Sequence, residues 1–351
     1  MRYYLTRRAV LKWLEIPSVY HLAKDELYEL DGESFRFMRG CMSDGGCLSD
    51  DSAFVDYCVE QGLIAPEPST IARPLLQQSP SPSLRYLELQ ITDICNLRCK
   101  HCYIGDGAGN ELSSGQIRSL LCEFEAMQGL RVLLSGGEPL LHSEWDSINE
   151  MLPDFLLRTV LFTNGLLLKK DRIRTLKVDE IQVSIDGLED AHEALRGPGT
   201  FRSAIEAVHH ALDAGFHVSI STMVHQGNLT QFDKLEQMFR NMDIKDWTVD
   251  APCSAGRCAE NHGLWVSPEE GGKYLGYGFG GGLHSSDQGF GCGLHLMAVL
   301  ADGRIAKCTF YGDRAVGTTE EGLKAAWART KPVLLRDLSC DCEFLELCRG
   351  G

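Results

Sequence analysis

The chain reads as an α/β protein built on a parallel barrel or partial barrel of six strand–helix units, with a small α+β module before it and a cysteine-rich extension after it. Three observations predict this. From residue 85 onward, short β-branched runs alternate with amphipathic helical stretches, as βα units demand. Five of the twelve prolines (Pro66, Pro68, Pro74, Pro80 and Pro82) fall in one Ser- and Gln-rich stretch, which separates that region from what precedes it. The third is position: cysteines, a Gly-Gly pair and an Asn-Gly pair follow the predicted strands directly, at the end where a barrel gathers its active site.

The front module covers residues 1–64. Val19-Tyr20-His21-Leu22 and Glu26-Leu27-Tyr28-Glu29-Leu30 read as two short strands. An apolar helix follows around Phe35 and Phe37, and a second runs through Phe54, Val55, Cys58 and Val59 to stop at Gly62. Cys41, Cys47 and Cys58 read as buried thiols. Residues 65–84 form the proline-rich linker, and residues 85–252 the barrel. Its first strand, 85–92, leads into a loop with three cysteines, and Ser113-Ser114-Gly115-Gln116 is a capping box opening the first helix. Further strands are predicted at 132–135, 159–163, 180–185, 217–224 and 247–249. Phe201, Ile205, Val208 and Leu212 share one helical face before Gly215, and Phe232, Leu235, Phe239 and Met242 share another. Residues 253–351 form the extension, where Asp302-Gly303 makes a hairpin turn between strands 297–300 and 304–306. Ten glycines between Gly271 and Gly293 read as a plain flexible surface loop, with a mobile segment near the substrate opening as the alternative.

Composition narrows the classes. With 351 residues and 44% hydrophobic content, the chain can bury a large core across two or three domains. Fourteen cysteines at short ligand spacings in so long a chain favour metal binding in a reducing, cytoplasmic compartment over a disulfide scaffold. A net charge of -15 argues against nucleic acid as the main partner, and no apolar run is long enough to span a membrane. Thr6-Arg7-Arg8-Ala9-Val10-Leu11-Lys12 superficially resembles a twin-arginine export signal, but Glu15 and Pro17 follow without an apolar stretch.

The most informative run is Cys95-Asn96-Leu97-Arg98-Cys99-Lys100-His101-Cys102, a C-x-x-x-C-x-x-C pattern. It supplies three thiolates, so a 4Fe-4S cluster held there keeps one iron open for chemistry. Half of a zinc site is the alternative, and it would need a fourth ligand. The spacing resembles the radical S-adenosylmethionine (radical SAM) superfamily, with His101 at the ring-bearing position. Ser135-Gly136-Gly137-Glu138-Pro139 resembles that family's GGEP motif, which implies that Gly136, Gly137 and Glu138 serve the amino group of SAM. By the same resemblance Thr163, Asn164, Ser184 and Asp186 bind SAM, with Ser184 or Asp186 near the ribose, and Arg196 sits near its carboxylate. The fold implied is a partial (β/α)6 TIM-like barrel. The reaction implied is one-electron cleavage of SAM to a 5′-deoxyadenosyl radical, which abstracts hydrogen from an unactivated carbon.

The flanks carry further resemblances. Cys292, Gly303 and Cys308 resemble the start of a SPASM domain, with Cys340, Cys342 and Cys348 following. That implies one or two auxiliary 4Fe-4S clusters, one served by Cys292 and Cys308 and the other by Cys340, Cys342 and Cys348. Cys253 and Cys258 could complete the first, or be a buried thiol or a hydrogen-atom donor. The family's pattern continues past Gly351, so the sequence reads as truncated and neither auxiliary site as complete. The front module resembles winged-helix, PqqD-like modules that bind leader peptides. Together these imply a peptide maturase acting on a ribosomally made precursor, with an electron donor such as flavodoxin or ferredoxin. Haem or haem d1 side-chain chemistry on a small-molecule substrate is the alternative enzyme reading, and a non-enzymatic iron-sulfur scaffold the alternative class.

Overall fold

The computed structural model describes residues 1–69, 71–282, 284, 295–331, 333–339 and 341–348. Its front module contains five strands: β1 (Tyr4–Leu5), β2 (Ala9–Trp13), β3 (Pro17–His21), β4 (Glu26–Glu29) and β5 (Ile64–Ala65). β2, β3 and β4 make an antiparallel sheet in that order, and β1 pairs with β5. Two helices, Gly32–Cys41 and Ser52–Glu60, cover the sheet, each opened by an aspartate, Asp31 or Asp51, whose carboxylate accepts from first-turn N–H groups. Sequence reading missed β2 because Lys12 interrupts its apolar run. The Lys12 ammonium is in fact buried and donates to the Gly129 carbonyl at 2.6 Å, and burial lowers its pKa to about 8.

The barrel follows the predicted order. Six parallel strands, β6 (Tyr86–Thr92), β7 (Arg131–Gly136), β8 (Arg158–Thr163), β9 (Glu180–Ser184), β10 (His217–Met223) and β11 (Asp246–Asp250), lie side by side in chain order. Helix Ser114–Ala126 opens with the expected capping box between Ser113 and Gln116. Helix Phe232–Asn241 buries Phe232, Leu235 and Phe239 of the face read from its periodicity, with Met242 half-buried at its C-cap. Helix Thr200–Asp213 buries Val208 of its face but otherwise packs through Ala204, Ala207 and Ala211. Phe201, Ile205 and Leu212 stay half-buried at the edge of the core, because the small residues let the helix approach the sheet closely. Three further strands extend the same sheet past β6: β12 (Leu296–Val299), parallel to β6, then β13 (Arg304–Ala306) and β14 (Gly317–Thr318), both antiparallel. The predicted hairpin is therefore β12–β13, and it continues the barrel sheet instead of forming a sheet of its own. Helix Pro268–Leu275 occupies the start of the glycine-rich segment that the sequence suggested was loop.

The proline-rich segment is tied down along its length. Arg73 donates to the carbonyls of Leu5, Thr6 and Ala9, Ser79 N–H to Trp13, and Gln77 to Ala126. At its end Ser83 and Arg85 both bond Glu15. The front module also enters the barrel floor. Asp25, at the β3–β4 turn with φ 59°, pairs with Arg131 and lies 3.8 Å from Arg158, the residues that begin β7 and β8. Arg158 also pairs with Glu180 at 2.7 Å, and His217 with Asp246 at 2.6 Å. One charged layer thus closes the N-terminal end of the barrel.

Candidate active site

Above this floor the barrel encloses a chamber of about 560 Å³ that opens at the C-terminal ends of the strands. Inward-facing residues along β9 to β11 are polar apart from Met223, and include Gln182, Ser184, Ser221, Thr248 and Asp250. Their outward neighbours Ile181, Val183, Ile220 and Trp247 are buried against helices. A parallel strand covered by helices on one face and lining a wet chamber on the other must alternate in this way.

Cys95, Cys99 and Cys102 all border the chamber from the loop after β6. That loop is built by the surrounding motifs. Gly137 N–H donates to Thr92 O and Glu138 N–H to Ile94 O, both at 2.8 Å. A Cβ on Gly137 would lie 2.4 Å from Ile94 O, and one on Gly136 2.5 Å from Thr92 O, so both positions require glycine for this approach. Asn164 donates from Nδ2 to Asn96 Oδ1 at 2.8 Å, and Lys100 N–H donates to Leu195 O at 2.9 Å. Asp93 gathers the loop's far end through the N–H groups of Ala108, Gly109 and Asn110.

The segment beyond β11 clamps the other side. Arg257 donates to the carbonyls of Cys99 (2.9 Å) and Gly105 (2.6 Å) and pairs with Asp106. Gly256, at φ 51°, lets its backbone pass where a Cβ would meet Cys102 O at 2.5 Å. Cys253 borders the chamber, whereas Cys258 is buried on helix Gly256–Glu260. Sequence reading did not find Gly256 and Arg257. Their role depends on packing between distant segments, and no spacing signals it.

The residues read from the sequence as SAM ligands divide into two kinds. Gly136, Gly137, Thr163, Asn164, Ser184, Asp186 and Arg196 all border the chamber. Glu138 does not. It is fully buried, accepting from Thr163 Oγ1 (2.9 Å) and Asn164 N–H (2.9 Å), and so orients the strand-end residues from behind. Burial raises its pKa. Arg196 donates to Asp186 at 2.5 Å, and His101 lies 3.3 Å from Arg196. Burial pushes the Asp186 carboxyl up, but Arg196, His101 and His192 together hold it well below the usual range, and Met223 N–H adds a hydrogen bond. His101 is driven to about 4, by burial first, so its ring is neutral at physiological pH.

The donor set suits an iron-sulfur cluster. All three cysteines of the loop are free thiols beside one chamber. Among the described residues, no three His, Cys, Asp or Glu side chains converge as ligands of a single ion would. A cluster takes one thiolate per iron and needs no such convergence. Of the cysteines read as auxiliary ligands, Cys308 is buried and Cys342 half-buried. Cys292, Cys340 and the side chain of Cys348 lie outside the described residues. No helix among the described residues is long and apolar enough to cross a membrane.

Residues 89–239 match the family model described as the radical SAM superfamily, and the barrel is a radical SAM domain. Over 187 residues the chain is 27% identical to the AdoMet-dependent heme synthase of Nitratidesulfovibrio vulgaris, covering 51% of each chain. Over 155 residues it is 30% identical to the mycofactocin maturase MftC of Mycolicibacterium smegmatis, covering 42% of this chain and 40% of that one. The chain thus spans about half the length or less of these curated relatives. The crystal structure of Streptococcus suis SuiB bound to precursor peptide SuiA superposes with a TM-score of 0.71 at 16% identity, covering 100% of this chain and 95% of that one. At that identity the match establishes the fold. It includes the front module and the C-terminal extension.

Proposed function

We propose that this radical SAM enzyme reductively cleaves S-adenosylmethionine and modifies a ribosomally made peptide by hydrogen abstraction. In this reading Cys95, Cys99 and Cys102 hold a 4Fe-4S cluster. Gly136, Gly137, Thr163, Asn164, Ser184, Asp186 and Arg196 border the bound SAM, and Glu138 positions two of them. The cluster and SAM supply one-electron cleavage of a carbon–sulfur bond and a hydrogen-abstracting radical. The chain's own task is to position and enclose. The Asp25 layer closes the floor, Arg257 and Gly256 fix the cysteine loop, and the Asp186–Arg196 pair presents the guanidinium at a set angle. Cys308 and Cys342, with Cys292, Cys340 and Cys348, serve one or two auxiliary clusters, and a flavodoxin- or ferredoxin-like protein donates the electron.

The observation that carries the peptide reading is the edge of β4. Among the described residues this strand pairs only with β3, so its other edge is free to add a peptide strand. The same hairpin carries Asp25, which borders the chamber. Leu30 N–H donates to Pro17 O, so by antiparallel alternation Glu29 turns its N–H away from β3. Glu29→Pro removes that donor and keeps the β3–β4 ladder. Binding of a short peptide encoded beside the gene is expected to weaken about 3- to 10-fold, the value of one hydrogen bond. Mass spectrometry of the peptide after incubation with SAM and reductant tests the activity itself. The named similarity to haem synthases favours a tetrapyrrole as the second reading. An unmodified peptide together with a modified porphyrin would establish it in place of the first.

A further inference from the structure

Resting on the peptide reading above, we propose that Asp250 receives a cationic side chain of the substrate inside the chamber, selecting a lysine or arginine over an apolar or acidic residue. Asp250 ends β11 and faces the chamber together with Thr248; on the neighbouring strand its register partner is Met223, and Ser221 lies opposite Thr248. The other charged groups bordering this space already have partners. Asp186 holds Arg196, Glu180 holds Arg158, Asp25 holds Arg131, and Asp246 holds His217. Arg257 is spent on Asp106 and on backbone carbonyls. Glu88 takes hydroxyl donors from Ser135 and Thr309. Among the described residues the Asp250 carboxylate has neither an ion pair nor a hydrogen bond, so it is the chamber's unmatched charge.

The side chain is exposed, but to the chamber, whose walls surround it. Burial, followed by the charge of Asp186, raises its carboxyl to about 6, which leaves it mostly ionised at neutral pH. A confined carboxylate without a partner favours a ligand that brings the opposite charge and penalises one that brings the same. The hydroxyls of Thr248 on the same strand face and of Ser221 opposite it add neutral acceptors to the same wall, suited to the several N–H donors of an ammonium or guanidinium head, while the apolar Met223 beside Asp250 suits the aliphatic stem.

The test uses the reconstituted holoenzyme with SAM, reductant and three peptides, Gly-Gly-X-Gly-Gly. X is side-chain-deuterated lysine, norleucine or glutamate, and the readout is deuterium in 5′-deoxyadenosine. The lysine peptide is expected to label about thirtyfold more than the norleucine peptide, the lower end of the effect of one member of a confined charge pair. Asp250→Asn should bring that ratio near one, and Asp250→Lys should shift preference to the glutamate peptide. Label without charge preference in the wild type, or a preference that survives Asp250→Asn, overturns the proposal. So does a rise in the SAM concentration for half-maximal cleavage by the same factor as the lost labelling, since Asp250 would then hold SAM. No label from any of the three sequences, each also offered fused behind the short peptide encoded beside the gene, while SAM is cleaved overturns the peptide reading itself.

Discussion

Replacing Asp25 with alanine asks whether the front module is a tethered accessory or part of the barrel. On a free hairpin this aspartate would be exposed at a turn and its loss would shift stability by less than about 0.5 kcal/mol. In the structure its side chain is 12% exposed and bonds Arg131, Tyr20 and His284. Arg158 would keep Glu180 at 2.7 Å after the change, but Arg131 would lose its only carboxylate among the described residues at a site where it is 11% exposed. Breaking one buried pair in this way costs about 3–5 kcal/mol. Over 351 residues the unfolding entropy near the midpoint is about 0.7 kcal/mol per kelvin, so Tm should fall by about 4–7 °C. Anaerobic thermal unfolding followed by circular dichroism reads this directly. The double variant Asp25→Ala with Arg131→Met removes the stranded cation and should recover at least about 1 kcal/mol relative to additivity. A Tm within about 1 °C of wild type, or a double variant no better than the sum of its parts, would refute the claim that this layer seals the barrel.

Three further outcomes follow from the same geometry. Glu15, bonded by Ser83 and Arg85, titrates near 2 despite a burial effect in the opposite direction. The stability it adds is present above its ordinary 4.5 and lost as pH falls toward 2, and solvent at the part-exposed Glu15 carboxylate keeps it modest, so Glu15→Gln should flatten acid unfolding across that window. Gly137→Ala drives a Cβ against Ile94 O at 2.4 Å and should displace the cysteine loop. Iron content and cluster absorbance after reconstitution should drop severalfold while far-ultraviolet circular dichroism stays near wild type. Replacing Cys95, Cys99 and Cys102 together with alanine should abolish dithionite-dependent 5′-deoxyadenosine formation, and cleavage persisting in that variant would remove the cluster from this loop.

What could be read from the sequence was local, and what could not was pairing at a distance. The six strands, the Ser113 capping box and the face of Phe232, Leu235 and Phe239 follow from periodicity and caps within a few residues of each other, whereas the alanine face of helix Thr200–Asp213 was hidden behind its larger apolar residues. The motif residues after the strands were findable for the same reason, since a barrel places consecutive strand ends around one mouth. The burial of Lys12 is not legible in the sequence, because its partner, Gly129 O, lies 117 residues away. That the proline-rich linker is held against its neighbours is not legible in the sequence either, because the bonds of Arg73 and Gln77 that hold it carry no local signature.

A signal for the chamber was nevertheless present in the strands. Glu180, Gln182, Ser184 and Asp186 alternate with Ile181, Val183 and Ile185, and Asp246, Thr248 and Asp250 alternate with Trp247 and Val249. Parallel strands buried on both faces read as nearly continuous apolar runs. This alternation therefore requires that one face of the barrel wall meet water or substrate. The polar face is also graded along the barrel axis, with paired charges at the N-terminal floor, hydroxyls and amides midway, and at the strand ends the Asp186–Arg196 pair and Asp250, which has no ion pair among the described residues. A radical generated at the mouth would meet substrate first where the wall still carries an unsatisfied charge. Substrate selection and hydrogen abstraction would then share one layer of the barrel, while the module beneath it supplies rigidity through Asp25.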